Sequence, residues 1–413
     1  MSELLGIEEP RERQRAGAPD WRAFLELGFR PLYLAGTAWA LLSIGLWIFA
    51  PQWIGGTLGG LAWHAHEALW GFVATIAVGF LLTAGANWTG INPLSGTPLA
   101  LLCALWLVAR IGYLVPQPAA FWIAAVSESL FFLIAAVALL RAVHKGKNQR
   151  NYGVPWLLMA LGVANGLYLD AARGGDFTLL MQRFDLGLLC MALIALLVAR
   201  RVIPFFAMRA VPGLQVPMHT RSGQVQLMAG VAAIGCALFA APELSAVALA
   251  IAGALAWGQV LAWKPLAVRR NPLLWILYAG YAALGGGLFA AAAHMVGWIA
   301  NPALHVHLIA VGGFGLLIIG MVTRTALGHL GLPLALDGSM RASYWLMIAA
   351  ALLRLAAIAP SLAAPLLLQL SATCWVAAFA LYLWRFGPLL IRPRIKEPAP
   401  MPTVKPSIKI APR

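Results

Sequence analysis

About twelve apolar runs, each long enough to cross a lipid bilayer as a helix, follow one another along this 413-residue chain with only short polar or turn-rich breaks between them. A bilayer core of about 30 Å takes roughly 20 apolar residues per helical crossing. Backbone in lipid must satisfy its own hydrogen bonds, so the chain is expected to be an all-α integral membrane protein. The runs lie near 32–50, 63–84, 97–115, 118–141, 154–170, 179–199, 225–241, 244–263, 273–297, 303–323, 343–359 and 362–384. Composition excludes a soluble globular protein: 62% of residues are hydrophobic and 10% charged, where soluble chains carry about 25% charged residues.

Lysine and arginine orient the bundle, because basic loops stay in the cytoplasm. With the first segment starting inside, the cytoplasmic stretches hold 25 basic residues and the opposite face holds two, Arg173 and Arg183. Both termini are therefore expected to be cytoplasmic. The net charge of +15 follows from this asymmetry and from attraction to anionic lipid, and needs no nucleic acid. Residues 1–28 read as a polar cytoplasmic segment with no cleaved signal, 29–386 as the membrane domain, and 387–413 as a Pro- and base-rich disordered tail. Cys103, Cys190, Cys236 and Cys374 lie inside apolar runs as small core fillers. No internal repeat divides the chain into matching halves.

Five of the eight histidines, His64, His66, His294, His305 and His307, fall where segments begin or end on the outer face. Ionisable groups at membrane depth mark functional sites, and imidazoles from three segments in one leaflet suit a metal or haem site. The alternative is a set of helix-start residues wetting an interface. On a regular helix, residues two apart diverge while residues three apart share a face, so His64 and Glu67 are expected to hydrogen-bond and to fix the ring for ligation. His329 would lie about 33 Å from His307 on a continuous helix. It belongs to a separate inner-face location, with His219 and His144 as the only other histidines there. Arg110, Glu128 and Arg354 also lie in the hydrocarbon region, where lone charges are expensive. Glu128 is expected to pair with Arg110 or Arg354.

His64-Ala65-His66-Glu67 with Gly71-Phe72, then Gly79 to Ala84 and Asn87-Trp88-Thr89-Gly90, resemble the signature of the NnrS family of bacterial membrane proteins. So do Arg201-Val202-Ile203-Pro204-Phe205-Phe206 and the stretch from His307 through Gly312 and Gly315 to Met321, Thr323-Arg324, Leu327-Gly328-His329 and Gly331. The resemblance spans about residues 28 to 385. It implies a multi-pass inner-membrane protein containing haem b and copper, associated with denitrification and with tolerance of nitric oxide. The family's histidines carry over to His64, His66, His307 and His329. Ala199-Arg200 stand where the family usually has two glycines.

Taken together, the expected protein is a haem–copper membrane protein of the nitric oxide response. Its outer-face site would use His64, His66 and His307, helped by Glu67 and by His294 or His305, with His329 at a second centre. Its partners would be nitric oxide or a related small ligand, the lipid bilayer and an electron donor that the sequence does not identify. Binding, metal-nitrosyl repair and electron delivery remain open, so redox turnover is not fixed. The rival reading is a twelve-helix secondary transporter using a buried Glu128.

Overall fold

A computed structural model describes residues 17–395. The N-terminal residues 1–16 and most of the Pro- and base-rich tail expected after residue 387 lie outside the described residues. Within them the protein is helical, with no strand. Its twelve main helices are α1 (Phe29–Phe49), α2 (Gly60–Thr89), α3 (Gly96–Gly112), α4 (Pro118–Lys145), α5 (Val154–Gly174), α6 (Phe177–Ala210), α7 (Thr220–Leu238), α8 (Pro242–Ala262), α9 (Pro272–Met295), α10 (Ala303–Leu330), α11 (Gly338–Ala356) and α12 (Ala364–Leu390). Among the described residues nine of them are long and apolar enough to cross a membrane. The exceptions are α7, α11 and α3, the last with only 17 residues.

Consecutive helices pair as hairpins. In addition α4 packs on α5, α8 on α9, and α12 returns to α1, which closes the bundle. The helices α2, α6 and α10 run through its middle. One end of the bundle is where these three helices begin, and it carries the clustered histidines. The opposite end carries Arg150, Arg200, Arg201, Arg209 and Arg341. All four cysteines are free.

Two of the helices share one plan. α2 consists of an α-helical start (Gly60–His66), an eight-residue π-helical segment (Glu67–Ala74) and a 15-residue α-helix (Thr75–Thr89). α10 repeats this plan, with Ala303–His307, an eight-residue π segment Leu308–Gly315 and a 15-residue α-helix Leu316–Leu330. Each helix is stopped by a glycine in the left-handed region, Gly90 at φ 70° and Gly331 at φ 76°, where any other side chain would be strained.

The preceding helix packs in the same register in each copy. Gly36 of α1 lies against Ile76 of α2, and Gly280 of α9 lies against Leu317 of α10. Gly79 faces Leu32 and Tyr33, and Gly320 faces Ile276 and Leu277. In lipid, helices gain little from burying apolar surface against each other, so small residues that admit close backbone approach set the contact. A methyl group added at Gly79 would come within 2.9 Å of Leu32 Cβ. Gly79→Leu is therefore expected to lower the melting temperature of the detergent-solubilised protein, at the ~1–3 kcal/mol typical of overpacking or more. Gly166→Leu, which meets nothing within 4 Å, is the control.

Candidate functional site

The π segments divide the histidines between separate environments. A π turn spends one extra residue, so side chains on either side of it no longer follow the spacing of an α-helix, and such segments recur at functional sites. In α2 the π segment starts at Glu67, directly after His66; in α10 it starts at Leu308, directly after His307.

At the histidine end of the bundle, His64 of α2 and His307 of α10 line one cavity of about 490 Å³, bounded also by α1, α6, α11 and α12. That volume lies in the ~300–1,000 Å³ range of small-molecule and cofactor sites. The walls are largely apolar and aromatic, with Trp47, Phe72, Phe184, Phe314 and Trp375 among them. His64 stacks flat on Trp47, at 5.1 Å between ring centroids and 4° between planes. His307 Nδ1 donates to the Ala303 carbonyl at 2.8 Å, which leaves the lone pair on Nε2 free. Fixing the second ring nitrogen in this way sets a ligating tautomer. Arg354, at the end of α11, is the one cation lining the cavity among the described residues. It pairs with no carboxylate among the described residues, so the expected choice for Glu128 falls on Arg110 and Arg354 faces the cavity.

His66 does not join them. It is fully buried with Glu67, Arg110 and Glu128 in a cluster built by α2, α3 and α4. Its Nδ1 lies 2.9 Å from Glu67 Oε1 and its Nε2 lies 3.0 Å from Glu128 Oε2, with Asn165 Oδ1 of α5 at 3.2 Å. An imidazole whose two nitrogens both face carboxylates donates from both, and is therefore an imidazolium. Arg110 bridges the two acids: Nη1 donates to Glu67 Oε2 at 2.5 Å, and Nη2 donates to Glu128 Oε1. Trp39 Nε1 donates to Glu67 at 2.6 Å and the Tyr113 hydroxyl to Glu128 at 3.1 Å. Two carboxylates, one guanidinium and one imidazolium sum to zero charge, which makes the cluster tolerable away from water.

Gly71 makes room for this cluster, since a methyl group there would meet the side chains of Arg110, Glu67 and Trp39. Its carbonyl accepts from Trp106 Nε1 at 3.2 Å and from Thr75 Oγ1 at 2.9 Å. The hydrogen bond expected between His64 and Glu67 is thus replaced by one between adjacent residues, His66 and Glu67, because the π segment begins between them.

His305 and His294 form a third group. Their rings stack at 5.0 Å, and His305 Nε2 lies 3.4 Å from Asp185 Oδ1 of α6. His294 Nδ1 donates to the Ile299 carbonyl at 2.7 Å. The space between them, about 30 Å³, is also lined by Met295.

His329 lies at the far end of α10, 5.0 Å from the ring of Phe29. It is apart from His219, which packs on Trp263, and from His144, which stacks on Tyr152. Arg200 is buried, covers Gly223 of α7 and donates to the His219 carbonyl at 3.1 Å. It therefore ties α6 to α7 where two glycines were the family's usual residues. Sequence reasoning missed Asp185, Asn165, Trp39 and Trp47 as partners. All four stand on helices other than α2 and α10, and nothing in their local sequence marks them.

Fold and site together define a polytopic helical membrane protein with a histidine-walled cavity at one end of the bundle and a fully buried ionic cluster beside it. The model of the NnrS family, described as NnrS protein, matches residues 23–394, and the chain belongs to that family. Membership supports a membrane protein of the nitric oxide response. No curated protein matches the chain.

Proposed function

We propose that the protein holds a haem b in the cavity between α2 and α10 and responds to nitric oxide there. The observation that carries this is the convergence of His64 and His307, from two copies of one helix plan, on a single apolar cavity that also contains an unpaired arginine. These residues fit the group. Imidazole suits haem iron, aromatic walls suit a porphyrin face, and Arg354 would pair with a propionate carboxylate, a strong charge-assisted contact. A haem so placed supplies an iron centre able to bind nitric oxide and to exchange an electron.

The chain's own side chains divide the work. The Ala303 carbonyl anchors His307, whereas no hydrogen bond holds the His64 ring among the described residues, so His307 would be the more firmly held of the two imidazoles that could hold the haem. Trp47 limits where the His64 ring turns. Copper fits less well: among the described residues no three His, Cys, Asp or Glu side chains come together to hold one ion, so no step is assigned to it. His66 and Glu67 act as structural neighbours of the cavity, and His329 has no assigned ligand role.

All twelve helices cross the bacterial inner membrane in this reading, with the histidine end periplasmic and the arginine end cytoplasmic. The test is an absorbance spectrum of the detergent-purified protein, oxidised, reduced and exposed to nitric oxide, with iron quantified on the same sample. One haem per chain and a band that shifts with nitric oxide are expected. A folded, iron-free chain would return the transporter reading to first place.

A further inference from the structure

A second cavity lies deeper along the same axis. It is about 80 Å³ and is walled by α1, α2, α6, α9 and α10. Apart from Tyr33 every lining residue is apolar; Ala77, Phe80, Ala195, Val198, Val202 and Met321 are half-buried and the others are buried. An apolar cavity of this kind stays dry and takes up small apolar guests, and ~80 Å³ is several times what one water-sized molecule needs.

Val73 and Phe314 line this cavity and the histidine-walled one alike. Each sits in a π segment, Val73 seventh in Glu67–Ala74 and Phe314 seventh in Leu308–Gly315, so the partition between the two cavities is made by equivalent residues of the repeated helix. Both cavities are bounded by the three central helices, and no charged side chain lines the deeper one.

We infer that the deeper cavity is a docking site for a small uncharged gas, and that its ligand passes the Val73–Phe314 partition to reach the histidine-walled cavity. Nitric oxide fits this chemistry, being diatomic, uncharged and more soluble in apolar surroundings than in water. The identity of the gas rests on the function proposed above, but the cavity's capacity for an apolar gas does not. A lipid acyl chain is the competing occupant, and a volume of about 80 Å³ is small for one.

The site is tested with xenon as the probe, by ¹²⁹Xe chemical-shift titration of the detergent-purified full chain, whatever its iron content. A saturable shift is expected for the wild type, and its loss in Ala195→Trp. The milder Val198→Phe serves as a second filling variant should the first fail to accumulate. Equal xenon response in the wild type and in a folded filling variant, or a cavity occupied by an acyl chain with no xenon response, would overturn the proposal. On haem-loaded protein, flash photolysis then follows nitric oxide recombination. Filling variants with an unchanged haem spectrum are expected to slow association several-fold, and an unchanged rate would overturn the passage to the histidine-walled cavity. Because xenon binding is read without haem, and haem content without xenon, failure of either reading leaves the other to its own test.

Discussion

Arg110→Met is expected to destabilise the protein strongly, on the order of 3–5 kcal/mol, the usual cost of removing one partner from a buried ion pair. The guanidinium bridges Glu67 and Glu128, as the His66 ring does from its two nitrogens. Without it two carboxylates face one imidazolium, and the cluster carries a net negative charge that no water can screen. Glu128→Gln is milder, since His66 can release its Nε2 proton and return the remaining Glu67, Arg110 and His66 to neutrality. The double variant Arg110→Met with Glu128→Gln leaves Glu67 opposite His66, again neutral, and should recover much of what Arg110→Met loses. Groups in one network couple strongly, which a double-mutant cycle measures. Thermal melting of the four proteins in detergent reads the cycle. Additive losses would show that the four residues do not act as one neutral unit.

The fold class was legible because a bilayer imposes it: each apolar run had to become a helix, and helices stand where the runs were read. The repeat was hidden for a physical reason. Trp63-His64-Ala65-His66-Glu67 and Leu304-His305-Val306-His307-Leu308 share only their histidines, because contacts between helices in lipid require small residues at the crossing points and accept any apolar side chain elsewhere. Glycine pairs such as Gly79 and Gly320 acquire meaning only once the helices they face are known.

The pairing of Glu128 with an arginine followed from the cost of lone charges, and the structure chooses Arg110. Residues two apart diverge on a helix, yet His64 and His66 were expected at one outer-face site, and the partners of neither could be read from the sequence. Whether Glu67 serves His64 or His66 depends on where the π segment begins, and a sequence of small apolar residues does not announce that. Asp185 and Asn165 were invisible for a simpler reason, since a single polar residue in an apolar run has no partner until the tertiary structure supplies one.

The histidine at position 66 separates this structure from a reading in which every clustered histidine binds metal. His307→Ala is expected to abolish bound haem, because it removes the one ring in the cavity whose tautomer and orientation are fixed by a hydrogen bond. His64→Ala removes the less constrained ring, so haem is expected to be retained at reduced content and nitric oxide to associate faster than in the wild type. His66→Ala leaves the haem spectrum and nitric oxide association unchanged while lowering the melting temperature, since both nitrogens of that ring are spent on Glu67 and Glu128. Added imidazole should restore absorbance to His307→Ala and leave His66→Ala unaffected, which distinguishes a lost ligand from a misfolded bundle. The three variants are read together by pyridine haemochrome content and by stopped-flow mixing with nitric oxide. Loss of haem in His66→Ala at an unchanged melting temperature would reverse the assignment and make His66 a ligand after all.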